Sequence, residues 1–179
     1  HLDFHTVSPF EKLFDRAGLE IIDVDRISPQ GGSIRVIAQK KNGKFLRESS
    51  VDELINLEHE LGLDKAKTFH EFENKINLVR KNLYKLVKEL KANNKSIAGF
   101  GAPTKATTLM SHFKIDESIL DFIVDDNPLK QGLYTPITHI PVLPAEALYE
   151  RKPDFVLILA WNFADPIMNN HKKYSDEIG

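Results

Sequence analysis

The chain has 179 residues, enough for one full core or for one domain with a piece of another. Its 24 basic residues are dispersed among 26 acidic ones for a net charge of -2, which argues against a nucleic-acid backbone as partner, and no apolar run approaches the roughly 18 residues that a membrane-spanning helix needs. With no cysteine the chain has no disulfide framework, thiolate nucleophile or Cys-based zinc site, and a cytoplasmic setting is the expectation.

The chain opens at His1 without a methionine, which reads as a fragment or a processed chain. "SPFEKLFDRAGL" then has a Ser-Pro helix start, apolar Phe10, Leu13, Phe14 and Ala17 at helical spacing, and Gly18 placed to end the helix. "LEIIDVDRI" and "SIRVIAQ" alternate as strands around the turn-forming "SPQGG". One helix and two strands cannot bury themselves, so this segment is expected to be the tail of a larger domain. After the polar "KKNGKFLRESS" the sequence turns helical. Phe69, Phe72, Ile76, Val79, Leu83, Leu86 and Leu90 recur at steps of three and four, one stripe of a long amphipathic helix that connects to the next domain and packs on it. A coiled coil is the weaker reading, since the run barely reaches three heptads.

From Lys95 onward strands and helices alternate: "SIAGFG" strand, "PTKATTLMSHF" helix, "ILDFIVDD" strand, "HIPVL" short strand, "AEALYERK" helix, "DFVLILAW" strand and "DPIMNNHKKYSDEI" a single final helix. Near-continuous Ile/Val/Leu strands joined by helices predict an α/β fold, a Rossmann-like open parallel sheet with helices on both faces and ligands at the carboxyl ends of its strands. The expected organisation is residues 1–45 as the helix and strand pair, 46–94 as a helical connector and 95–179 as the Rossmann-like domain.

Three loops at that carboxyl edge carry candidate chemistry. Gly99 and Gly101 close the first strand, Ala102 and Pro103 lead into a helix, and Lys105 adds a positive charge, which suits a phosphate at a helix N-terminus. Thr104 stands where the dinucleotide fingerprint asks for Gly or Ala, so a tight turn without a ligand stays open beside the phosphate site. "VDDNPLKQG" follows the next strand, with Asp125 and Asp126 in place for a ribose hydroxyl, Asn127 and the proline also forming a good turn, and Lys130 and Gln131 in reach of an anion on the first loop. Trp161 and Asn162 leave the last strong strand, Trp161 either as core or lid or as a surface on which a base or sugar stacks. The histidines at 1, 5, 59, 70, 112, 139 and 171 lack ligand spacing, so no metal site is expected, whereas a histidine general base fits proton abstraction near neutral pH.

Taken together, "HLDFHTVSPFEKLFDRAGLEIIDVDRISPQGGSIRV", "GFGAPTKATTL", "IVDDNPLKQG" and "PDFVLILAWNF" resemble, in order and over nearly the whole chain, the C-terminal region of the S-adenosylmethionine-dependent sugar C-methyltransferase family. The resemblance implies a full-length enzyme that methylates a nucleotide-linked keto-deoxysugar, with the first 40 or so residues closing a methyltransferase domain whose S-adenosylmethionine loop lies upstream. It also implies that His1 is the last member of a Tyr/Glu/His catalytic cluster, the base that makes an enolate from the sugar carbon beside the ketone. Gln30 stands where many members have His before "GGS", and His5 where an aromatic is usual, which leaves the sugar's identity open. The implied partners are a nucleotide diphosphate sugar and the upstream domain, with no nucleic acid and no membrane. A non-catalytic nucleotide or nucleotide-sugar binding domain is the alternative, and half of a nicotinamide oxidoreductase the third reading.

Overall fold

The computed structural model of the chain describes residues 4–177; His1 therefore lies outside the described residues. Contacts divide the chain into two compact units, residues 1–74 and 75–179.

In the first unit, helix α1 (Val7–Arg16) turns apolar side chains inward at helical spacing: Val7 is buried, and Phe10 and Phe14 pack beside it. Gly18, at φ +74°, ends the helix in the left-handed region that a side chain resists. Strand β1 (Leu19–Ile27) then pairs antiparallel with β2 (Ser33–Lys40), from Leu19 opposite Lys40 to Ile27 opposite Ser33 with a register shift between Ile21 and Asp23, around a 3-10 turn, Pro29–Gly31. Helix α2 (Ser49–Glu60) lays Val51 on the hairpin, and Val7, Ile21, Val24 and Val51 form the core. Each fully buried Val or Ile there contributes about 1.5–3 kcal/mol. Glu58 of α2 supplies the cap that α1 lacks in its own sequence, accepting the amide N–H of Val7 at 2.5 Å and of Ser8 at 3.0 Å. Burial works against the Glu58 charge, but these bonds and the Ser8 hydroxyl outweigh it and hold its pKa below the ordinary value.

Helix α3 (Ala66–Ala92) bears out the long helix but corrects its buried face. Leu83, Val87 and Leu90 meet the core of the second unit, whereas Leu86 of the expected stripe is exposed, as are Phe69, Phe72 and Val79. A heptad stripe drifts around a straight 3.6-residue helix, so the wall that the last turns meet selects Val87 in place of Leu86.

The second unit is a four-stranded parallel sheet, β3 (Ile97–Phe100), β4 (Phe122–Val124), β5 (Val142–Leu143) and β6 (Phe155–Ile158), in the order β5-β4-β3-β6. One face packs on α3 and α4 (Thr104–Phe113) through Ile97, Met110, Ile123 and Leu159. The other packs Ala98, Phe100, Phe122 and Val124 on α5 (Glu146–Arg151) and the C-terminal helices. Covering on both faces explains why these strands read as continuous apolar runs. The final helix is two, α6 (Ala164–Asn170) and α7 (Lys172–Glu177). The break falls at His171, after two asparagines that favour helices poorly, where the imidazole sits edge-on to Phe100 and its Nδ1 meets the Tyr149 hydroxyl at 2.9 Å.

Carboxylates fix the amino end of the sheet. Asp154 accepts the Ser96 amide and hydroxyl, each at 2.8 Å, and pairs with Lys95 at 2.9 Å. Asp121 accepts the Ile97 amide at 3.0 Å. At the carboxyl end the chain runs from β3 outward to β4 and β5, then returns to place β6 on the other side of β3. That reversal falls between β3 and β6, the location where open parallel sheets hold ligands.

Candidate functional site

Each loop at the carboxyl edge owes its shape to a specific residue. Gly99 is filled by its neighbours: a Cβ there would lie 2.8 Å from Cγ1 of Ile123 and 3.1 Å from Cδ1 of Leu159. Gly101 has φ +86°, and a Cβ would meet that of Ala160 at 2.6 Å. Both glycines are thus required by strand packing and by the turn itself. The Gly101 amide donates to the Val124 carbonyl at 2.7 Å, which ties the start of the loop to β4.

Pro103 precedes α4 in an extended conformation, and the Ala106 amide bonds its carbonyl at 2.8 Å. Thr104 and Lys105 keep first-turn amides that a helix does not satisfy internally. Their positive end lies at the carboxyl edge of the sheet, four residues after β3.

Asp125 organises the next loop. Its Oδ2 accepts the Ala102 amide at 2.7 Å and the Lys130 ammonium at 3.0 Å, and its Oδ1 accepts the Asn127 amide at 2.9 Å. The Gln131 side-chain amide donates to the Asp125 carbonyl at 2.9 Å. Burial opposes the charge on Asp125, yet the two amides and Lys130 outweigh it and keep its pKa below the ordinary carboxylate value. Its oxygens are engaged within the protein, so a ribose hydroxyl would have to displace those bonds. Asp126 and Asn127 are exposed, and Asn127 Oδ1 accepts the Leu129 amide at 3.0 Å, an Asx turn. Lys130 and Gln131, expected to reach toward the first loop, are both folded onto Asp125.

The loops after β3 and β6 do meet. Lys105 Nζ lies 4.0 Å from the centre of the Trp161 ring, a cation–π contact between the two loops. Trp161 and Asn162 begin a 3-10 turn, Trp161–Phe163, and both are exposed, Trp161 by 47%. The structure therefore brings Lys105 and Trp161 together, with Gly101, Ala102 and Pro103 on the stretch that leads to Lys105, and ties the 125–131 loop to Ala102 through Asp125.

Ala160, whose methyl fills the space above Gly101, was not among the sequence-derived site residues. Its signal was present as a small residue at the end of an otherwise bulky strand. No helix among the described residues is long and apolar enough to cross a membrane.

Residues 28–179 match the family described as the C-methyltransferase C-terminal domain. The chain is also 31% identical over 179 residues to the C-methyltransferase NovU of Streptomyces niveus, a match that takes in 100% of this chain and 43% of that protein. The chain thus spans under half the length of this curated relative, and its similarity runs from end to end. By the extent of the family match, with a parallel sheet and helices on both faces as its frame, the chain belongs to the C-methyltransferase C-terminal domain family.

Proposed function

We propose that the chain is the C-terminal part of an S-adenosylmethionine-dependent C-methyltransferase that acts on a nucleotide-linked keto-deoxysugar, and that the crevice between β3 and β6 holds the nucleotide diphosphate of that substrate. The observation that carries this reading is the Lys105–Trp161 contact at the point where the strand order reverses. An aromatic face and a cation placed side by side match the two parts of a nucleotide. The base stacks on Trp161, and the diphosphate takes Lys105 together with the amides of Thr104 and Lys105. Asp126, Asn127, Lys130, Gln131 and Asn162 rim the same edge as candidate substrate contacts.

The methyl donor and its loop belong, on this reading, to an upstream domain, as does the chemistry of the sugar. His1 is the proposed base at the junction. It would take the proton from the carbon beside the ketone, and the resulting enolate carbon would bond to the donor's methyl as the methyl–sulfur bond breaks, with S-adenosylhomocysteine as the leaving group. The role of the present chain is to hold the nucleotide so that the sugar meets that base, in a cytoplasmic protein.

The single tryptophan of the chain reports directly on the crevice. Titration of the 179-residue chain with nucleoside diphosphates and nucleotide diphosphate sugars, followed by Trp161 fluorescence, should give a saturable change. Lys105→Ala should weaken the binding about tenfold through loss of a charge-assisted contact. A flat titration at millimolar ligand, with Trp161 still reporting on acrylamide quenching, overturns the reading. One observation favours the alternative of a non-catalytic binding or docking domain: both glycines of the turn are explained by internal packing alone. In a full-length enzyme that alternative predicts unchanged KM and kcat for Lys105→Ala, whereas the substrate cradle predicts a raised KM.

A further inference from the structure

Three residues separate β3 from α4, and their backbone donors are spent or missing. The Gly101 amide bonds the Val124 carbonyl at 2.7 Å, and the Ala102 amide bonds Oδ2 of Asp125, also at 2.7 Å. Pro103 has no amide hydrogen to give. The next donors along the chain are Thr104 and Lys105, whose amides the first turn of a helix leaves unpaired. Where those two amides point depends on how the stretch before them is held.

Asp125 does the holding. Among the described residues no other side chain bonds the backbone of residues 101–103, and this bond reaches back 23 residues, from the end of β4 to the turn after β3. An acid at the end of the second strand of a dinucleotide-binding sheet ordinarily takes a ribose hydroxyl, which requires an open oxygen. Asp125 offers none. It is only 8% exposed, its Oδ2 also accepts the Lys130 ammonium at 3.0 Å, and its Oδ1 accepts the Asn127 amide at 2.9 Å. A carboxylate bonds a backbone amide about twice as strongly as a neutral acceptor does, so the Ala102 amide is firmly committed. Freed from it, the stretch 101–103 would lose its one side-chain anchor, and the amides of Thr104 and Lys105 would turn with it.

We infer that Asp125 is a positioning residue for the diphosphate: by holding the Ala102 amide it aims the Thr104 and Lys105 amides at the phosphates, and it does not take the ribose. The inference rests on the nucleotide reading above and adds the residue on which the phosphate part of that reading depends.

Two uncharged variants isolate the bond. Asp125→Asn and Asp125→Ala remove the same charge and release Lys130 alike, but only asparagine keeps a side-chain oxygen that can accept the Ala102 amide. UDP and uridine, titrated against Trp161 fluorescence in the 179-residue chain, separate the phosphates from the ribose and base. UDP should bind about tenfold more weakly to Asp125→Ala than to Asp125→Asn, whereas uridine should bind both equally. Circular dichroism and urea denaturation check that each variant is folded at the working temperature. A loss shared by uridine and UDP, as an acid on the ribose would give, overturns the inference, and so does equal UDP binding by the two variants. The parent chain supplies a test without substitution: in amide NMR, UDP should shift Thr104 and Lys105 and leave Ala102 nearly unmoved, and an Ala102 shift as large as theirs overturns the inference too. A parent that binds no UDP ends the nucleotide reading and this role together, whereas a binding parent with equal variants ends this role alone.

Discussion

Two lysines stand at the same edge of the same sheet and are held in opposite ways. Lys130, on the loop after β4, lies 3.0 Å from the Asp125 carboxylate, so its charge is matched inside the protein. Lys105, at the start of α4, rests on the face of Trp161, an attraction that leaves its full charge to act on an incoming group. The difference follows the topology. Asp125 ends the strand beside β3 and closes back onto the Ala102 amide, whereas β6 presents an aromatic ring in place of an acid. One loop is thus cross-linked to build the crevice wall, and the other is left electrically open at its mouth.

The strongest way to break this contrast is to move the two loops apart. Gly101→Ala introduces a Cβ at a left-handed backbone position and against the Cβ of Ala160. The strain and the overpacking together should cost about 3 kcal/mol of stability in urea denaturation. Ala160→Gly opens space for the new methyl and should return part of that loss, with the backbone strain remaining.

Next in size is the removal of the internal partner. Asp125→Ala leaves the Ala102 amide and the half-buried Lys130 without their acceptor and should destabilise by about 2 kcal/mol, a value reduced by solvent at Lys130. Lys130→Ala should cost about 1 kcal/mol, since the Asp125 carboxylate keeps two backbone donors. If both variants cost nothing, the two lysines are not distinguished by their partners.

The same carboxylate sets a pH dependence. The pKa of Asp125 is lowered in the folded protein, so its contribution is fully present above the unfolded value near 3.8 and is lost as pH falls through the lower folded value. Stability measured at pH 5, 4 and 3 should therefore fall less steeply in Asp125→Asn than in the parent chain. Glu58 and Asp154 are lowered as well and titrate in both proteins, so the comparison isolates Asp125. Parallel pH profiles in the two proteins would count against the assigned direction.

How far the sequence revealed these arrangements differs along the chain. The strand "LEIIDVDRI" coincides with β1, marked by its β-branched residues and a flanking glycine, but the bulge after Ile21 that puts Ile21 and Val24 on the buried side was not legible. The parallel order of the second unit was legible in its buried strands and alternating helices, and Lys105 and Trp161 in their places after two of those strands. What was not legible depends on contacts between distant segments. Lys130 has its acid five residues upstream on its own loop, but the ring over Lys105 arrives from the end of β6, more than fifty residues on, and nothing local announces that meeting. Gly99 reads as room for a ligand until Ile123 and Leu159 are placed against it. Likewise the stripe on α3 fixes a helix but leaves open whether Leu86 or Val87 meets a wall.

The smallest expected change in stability is also the one that separates the two lysines most clearly. Lys105→Met keeps the length and apolar stem of the side chain and removes the charge, so it forfeits only the cation–π attraction, about 0.5–1 kcal/mol at a half-exposed site. The emission of Trp161 should shift with the loss of the ammonium above its ring, while the urea midpoint barely moves. Nucleoside diphosphate binding by the same variant should nevertheless drop about tenfold, because Lys105 rests on a neutral ring and pairs with no carboxylate among the described residues. A variant that lost more than about 2 kcal/mol of stability and bound as before would place Lys105 in the same structural class as Lys130. Small cost to the fold with a large cost to binding is the combination that a cation held in reserve requires.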